Sequence, residues 1–269
     1  MSSFPTAPFK LPEGAARVFM DGAVILHPPR DRWAEEAPVA ADPNKKAYLK
    51  KQLVEALTVG APLVGPSGNR SQAYQAAKRA FDIVGALFFI ALFSPIMLAT
   101  FVALFITTRG KPLFVQQRIG FRGIPFAMYK FRTMRLDAEA VQQDVQNEQS
   151  GPVFKNRHDP RVTKIGRWLR SFSIDEMPQL FNVLVGDMSL VGPRPPVAKE
   201  VAQYERWQLQ RLAVKPGLTC LWQISGRCEI GFEDWVRMDI WYVDNQSFWT
   251  DLKLLFKTPW SVLSRRGAY

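Results

Sequence analysis

Cysteine and histidine are nearly missing from this chain of 269 residues: it has Cys220, Cys228, His27 and His158 and no others. That excludes a disulfide framework, a paired-cysteine zinc site and a histidine-rich metal centre. The spacing of the two cysteines fits no metal or redox motif, so both read as packing residues. Three phosphate-binding devices are absent too. There is no G-x-x-x-x-G-K-[ST] loop, no strand–G-x-G-x-x-G–helix unit and no D-x-D triplet. Residues 1–12 lack a basic start followed by an apolar core, so they do not read as a secretory leader. No internal repeat is visible. With 47% hydrophobic residues the chain is not disordered as a whole, and with a single long uncharged run it is not polytopic.

Charge is plentiful but uneven. The net charge is +11, and residues 109–171 hold 13 basic against 5 acidic side chains. This excess follows directly on the apolar run, a setting that favours an anionic membrane surface or a phosphorylated substrate over nucleic acid. The run itself, residues 83–106, has 24 uncharged positions, enough at about 1.5 Å each to span a bilayer core of about 30 Å. A spanning helix is the simple reading. Lys78 and Arg79 before the run and Arg109 and Lys111 after it ask for the same, cytoplasmic side. Ser94-Pro95 sits at its midpoint, where proline removes a backbone donor and the serine hydroxyl can serve the freed carbonyl. Both features favour a helical hairpin that enters and leaves by one face. On these residues alone, both topologies stay open.

Residues 1–44 are rich in Pro and Ala without a sustained period, residues 45–57 fit a short helix and residues 58–70 a loop, together a variable, flexible extension. Beyond the run, PLFVQQRIGFRGIPFAMYKFRTM has short β-type stretches, and residues 136–149 fit a polar helix. RVTKIGRWLRSF sets Val162, Ile165, Leu169 and Phe172 on one face with Arg161, Lys164, Arg167 and Arg170 beside them. That is a basic amphipathic helix, suited to the membrane interface or to inward packing. Trp235, Trp241, Trp249 and Trp260 fit either interfacial anchors or core.

The densest polar cluster is SFSIDEMPQLFNVLVGDMSLVGPRPP. Asp175 and Glu176 are adjacent, with Ser173 as N-cap, so the pair falls in a first helical turn, where the dipole favours negative charge. Acids there are often structural only. Two carboxylates can also bind a hard cation such as Mg²⁺, and a carboxylate can attack phosphorus. Arg194 between prolines, Arg227 after Gly226, and Lys130 with Arg132 in YKFRTM could neutralise phosphate oxygens.

From Lys78 to about Thr258 the chain resembles the bacterial sugar transferases, the monotopic polyprenyl-phosphate phosphoglycosyl transferases that initiate exopolysaccharide and O-antigen synthesis. The matching strings are KRAFDIVGA, the central SP, QQRIG, KFRTM, DPRVTKIGRWLR, DEMPQLFNVLVGDMSLVGPRP, KPGLTCLWQISGR and YVDNQSFWTDLKLLFKT. The resemblance implies an α+β, mostly helical fold with amphipathic interfacial helices and a small β element. It implies a variable extension over residues 1–70, a re-entrant hairpin broken at Ser94-Pro95 over 71–110, and a catalytic domain on the cytoplasmic face of the inner membrane over 111–269. It also implies Mg²⁺ held by Asp175 and Glu176, and a two-step transfer. Asp175 would attack the β-phosphate of a UDP-sugar, galactose or glucose first, releasing UMP. A polyprenyl (undecaprenyl) phosphate would then take the phosphosugar. Glu176 would hold Mg²⁺ or act as base. Lys130, Arg132, Arg194, Arg227 and Asp251 would bind substrate. Expected partners are the UDP-sugar, the polyprenyl phosphate and membrane lipids, with a homodimer allowed and nucleic acid not expected. The rival reading is a non-catalytic membrane scaffold for polysaccharide assembly. One departure is PGLTC, with Cys220 where the family usually has glycine.

Overall fold

A computed structural model describes residues 17–20, 23–26, 71–141, 145–148, 151–154, 156–226 and 230–264. It divides into two units, Met1–Ala41 and Asp42–Tyr269. In the first, β1 (Arg17–Met20) and β2 (Ala23–Leu26) pair antiparallel, with Met20 opposite Ala23. The lack of a sustained period over residues 1–44 hides this short pairing. Two apolar runs flanking Asp21-Gly22 are a hairpin signal. The helix expected at 45–57 and the loop at 58–70 lie outside the described residues.

The second unit is mostly helical, with two small two-stranded sheets among its described residues. Its first element, α1 (Gln72–Thr107), is helical throughout, with Pro95 inside it and Ser71 Oγ capping its start. Pro95 cannot donate to the carbonyl four residues back, that of Ala91, and Ser94 Oγ donates to that oxygen instead at 2.9 Å. Lys78, Asp82 and Ala86 are buried near one end and Thr100 and Leu104 near the other, while residues 87–99 include no buried position.

Each end is tied to the same unit. Lys78 Nζ lies 2.6 Å from Asp82 and 3.0 Å from Asp251, and donates to Ser189 Oγ. Arg79 donates to the Val183 and Leu184 carbonyls, both at 2.6 Å, capping α3 (Gln179–Val185). At the far end Leu104 joins Phe131, Leu169 and Ile174 in a buried cluster.

Strands β3 (Leu113–Ile119) and β4 (Pro125–Phe131) form an antiparallel hairpin. The Asn182 amide clamps α3 to it, accepting from Tyr129 N at 3.0 Å and donating to Ala127 O at 2.7 Å. Helix α2 (Lys164–Ser171) starts on a Thr163 cap and presses its backbone against Thr133: a Cβ on Gly166 would stand 2.0 Å from the Thr133 carbonyl oxygen. Its apolar residues, Ile165, Leu169 and Phe172, pack inward, whereas Lys164, Arg167 and Trp168 are exposed. Arg161 is not on its basic face but buried against Asp159 at 2.7 Å.

After α3, β5 (Ser189–Val191) pairs parallel with β6 (Gly217–Thr219). Glycine is required at this crossing, because a Cβ on Gly217 would meet Gly192 N at 2.0 Å. Between them lie a short α4 (Ala198–Val201) and a 3₁₀ stretch Arg206–Ala213. Helices α5 (Leu221–Ser225), α6 (Phe232–Asn245) and α7 (Phe248–Ser264) follow.

One further expectation is corrected, and one left open is answered. The described residues of 136–149 form turns and irregular backbone, not a helix, as suits a polar stretch with no apolar face to bury. The late tryptophans divide: Trp235 is core, whereas Trp249 and Trp260 are exposed on α7.

Candidate functional site

The acidic pair is aimed by the turn that follows α2. Ser173 takes left-handed backbone (φ 56°), and a 3₁₀ turn, Ile174–Glu176, carries the two acids while Ile174 is held in the core. Ser173 stands at the N-cap position of this turn, as expected, with its carbonyl accepting from Glu176 N at 3.2 Å; its side chain makes no capping hydrogen bond, and its left-handed backbone supplies the reversal of direction. The turn runs on into α3 through the bonds from Met177 N to Ile174 O and Leu180 N to Met177 O.

Glu176 is the hub. Its Oε1 accepts from Lys130 Nζ at 2.9 Å and Arg194 Nη1 at 3.2 Å, and its Oε2 accepts from Gln223 Nε2 at 3.1 Å. A small cleft is lined by Arg118, Lys130, Glu176, Gln179, Arg194 and Gln223, among others. Arg194 leaves the β5–β6 crossing on the GPRPP loop, with its guanidinium 5.8 Å from the Trp222 ring centre. Asp175 is buried beside this cleft and does not line it.

Of the residues expected from sequence, Lys130, Glu176 and Arg194 are thus brought into contact, with Asp175 adjoining. Arg132 is not: it donates to the carbonyls of Lys111 and Leu113 and sits over Phe114. Asp251 is not either. It is fully buried against Lys78 and Tyr242, a structural post between α7 and α1. Arg227 lies outside the described residues. Cys220 is buried with extended backbone (φ −145°), which any residue adopts, so the cysteine costs the loop nothing in conformation.

Arg118, Gln179 and Gln223 were not anticipated. For Arg118 a signal existed: the hairpin register sets Phe114 opposite Lys130 and Gln116 opposite Met128. Alternation then places 116, 118, 128 and 130 on one face. Gln179 and Gln223 carried none, being neutral residues in helical positions.

Burial lifts the Asp175 carboxyl above its usual range and the neighbouring Glu176 charge lifts it further, while Lys130, Arg170 and Arg194 pull it down. Burial lowers the Lys130 ammonium against the raising pull of Glu176. The cleft therefore sets several desolvated cations around the Glu176 carboxylate, with Asp175 buried beside it, which suits a polyanionic ligand.

Among the described residues no group of three or more Asp, Glu, His or Cys could enclose a metal ion. Two carboxylates still fit Mg²⁺, which commonly takes one or two protein carboxylates and completes its shell with substrate phosphates and water.

Fold and site define a mostly helical domain with one helix long and apolar enough to cross a membrane and a basic cleft beside an acidic pair. Sequence comparison gives the family: the bacterial sugar transferase model matches residues 73–265, and the chain belongs to that family. It is 47% identical over 196 residues to galactosyl transferase CpsE of Streptococcus agalactiae, covering 71% of this chain and 43% of the relative. It is 42% identical to the undecaprenyl-phosphate galactose phosphotransferase of Salmonella typhimurium, covering 71% and 41%. It is 39% identical to exopolysaccharide production protein ExoY of Rhizobium meliloti, covering 72% and 88%. The chain thus matches less than half the length of the first two.

Proposed function

We propose that this chain transfers a sugar 1-phosphate from a UDP-sugar to a polyprenyl phosphate at the cytoplasmic face of the bacterial inner membrane. The observation that carries this reading is the cleft itself. Glu176 and the cations Arg118, Lys130 and Arg194 meet in it, with Asp175 beside them, on the same unit that holds both ends of an apolar helix. Relatives named for galactose transfer make UDP-galactose the first donor to try, with UDP-glucose next.

Asp175 Oδ attacks the β-phosphorus of the donor. The bond from that phosphorus to the bridging oxygen breaks, and UMP leaves with the electron pair. An oxygen of the polyprenyl phosphate then attacks the phosphorus of the aspartyl phosphosugar and regenerates the carboxylate. Lys130 and Arg194 neutralise phosphate oxygens, and Glu176 holds those two cations in place. Mg²⁺ brought by the diphosphate and held by Asp175 and Glu176 would offset further charge. Desolvation makes each of these electrostatic contacts stronger than it would be in water.

The helix α1 is read as re-entrant. A straight helix of 36 residues is about 54 Å long, and in a spanning arrangement its two ends would lie on opposite faces of the bilayer. Here Lys78, Arg79 and Asp82 at one end, and Leu104 at the other, pack into one unit, with the uncovered stretch and Pro95 between them. Cysteine labelling from outside intact cells should fail at both flanks of residues 83–106; labelling at one flank alone means a spanning helix.

The activity is tested by intact mass after incubation with UDP-galactose or UDP-glucose and Mg²⁺, without lipid acceptor. A hexose phosphate adduct is expected, absent in Asp175→Asn, with UMP release on adding undecaprenyl phosphate. No adduct and no UMP across a full panel of UDP-sugars would overturn the reading.

A further inference from the structure

One polar side chain in the cleft lacks a partner. Gln179 is 3% exposed, its Nε2 makes no hydrogen bond, and the residue lines the cleft beside Arg118, Lys130 and Arg194. Buried amide donors are nearly always paired in native proteins, so an unpaired one in a cleft marks the place of a missing acceptor.

Its position says which acceptor. Gln179 opens α3 four residues after Asp175, on backbone carried through the intervening turn by bonds between residues three apart, and it lines the cleft that Asp175 adjoins. A ligand in this cleft whose phosphorus is within reach of Asp175 brings its non-bridging oxygens toward Gln179.

Arg118 has a matching deficit. Its Nε donates to Gln116 Oε1 and its Nη1 to Pro195 O, both at 3.0 Å, and it forms no ion pair among the described residues. Burial, then the neighbouring Arg194 charge, lowers its pKa to about 10. Lys130 and Arg194 share Glu176, whereas Arg118 has neutral acceptors only. An unmet donor and a guanidinium without an ion pair, both lining this cleft, lack what a phosphoryl oxygen supplies.

We propose that Gln179 is a further substrate-contacting residue, its Nε2 donating to an oxygen of the transferred phosphoryl group of the donor diphosphate while Arg118 neutralises the same group. This rests on the reading of the donor as a UDP-sugar. The group concerned is the β-phosphoryl, present in UDP and missing from UMP.

The test is calorimetric titration of the full chain in detergent with UDP and with UMP, Mg²⁺ present, for wild type, Gln179→Leu and Arg118→Met. A hydrogen bond to a charged acceptor is worth roughly a tenfold change in affinity or more, so UDP should weaken by about that factor in each variant while UMP is unchanged. Unliganded Gln179→Leu should melt no lower than wild type, because the leucine removes a buried unmet donor; a purely structural glutamine would lower the melting temperature and weaken both nucleotides alike. Equal UDP affinity in wild type and Gln179→Leu overturns the proposal and leaves the transferase reading standing. A defect confined to the polyprenyl phosphate step overturns it in favour of the acceptor phosphate. If wild type neither binds UDP nor releases UMP from any donor, the transferase reading fails and takes this proposal with it.

Discussion

Asp175 works against its surroundings. Burial and Glu176 raise its pKa, and Lys130, Arg170 and Arg194 oppose them. Attack on phosphorus needs the ionised carboxylate, so single-turnover UMP release should rise with pH along a limb set above the ordinary carboxylate range. Removing Lys130 removes a lowering influence, so Lys130→Met should move that limb to higher pH besides lowering the plateau; a limb that stays in place would show that another group controls it. The same burial acts on stability. A carboxyl whose folded pKa is raised contributes stability below its unfolded pKa and loses it as pH rises through the folded value. Asp175→Asn, neutral at every pH, should therefore melt higher than wild type at neutral pH while forming no adduct. A fall in melting temperature would mean that the cations around Asp175 outweigh its burial. Much of this site was legible: the acid pair, Lys130 and Arg194 all carry charge, and charge in an apolar neighbourhood is visible in sequence. Gln179 and Gln223 are neutral and reach the cleft only because the turn at Ser173 and the β5–β6 crossing aim them, and neither turn announces itself in composition.

Elements were read most reliably where one period dominates. The apolar run became α1, RVTKIGRWLRSF became α2 and the stretch around QQRIG became the β3–β4 hairpin. Where period and polarity disagreed the reading failed, as over 136–149. Helix α7 illustrates what burial adds to periodicity. Trp249, Phe256, Trp260 and Leu263 recur at helical spacing and are all exposed, with Phe256 at 77% and Trp260 at 76%. Phe248 at its start meets Phe81 of α1 edge-on at 5.0 Å. An aromatic stripe that continues from an apolar helix suits the membrane interface. Phe256→Ser with Trp260→Ser should weaken binding to anionic liposomes in flotation assays, yet leave the melting temperature unchanged because neither side chain is packed. Partial loss is expected, since α1 remains. Undiminished flotation would assign the stripe to another surface.

Across the whole molecule, the apolar helix and the cleft are joined through one buried ion network. Lys78 holds Asp82 and Asp251, Ser189 bridges Lys78 and Asp82, and Tyr242 donates to Asp251 at 2.7 Å. These groups come from α1, β5, α6 and α7, and β5 leads directly into the GPRPP loop that carries Arg194. The flanking Lys78 and Arg79 read in sequence as markers of membrane side. In the folded chain both also hold α1 to the body, a role that depends on residues more than a hundred positions away and so could not be seen locally. Lys78→Met would leave Asp82 and Asp251 buried without their cation, and breaking a buried pair in this way costs about 3–5 kcal/mol. A large drop in melting temperature is expected, together with loss of UMP release. Adding Asp251→Asn and Asp82→Asn to Lys78→Met removes the stranded charges and should restore much of the stability. If the triple variant melts no higher than Lys78→Met alone, the network is not what couples the helix to the cleft, and the aromatic contact between Phe81 and Phe248 becomes the joint to test next.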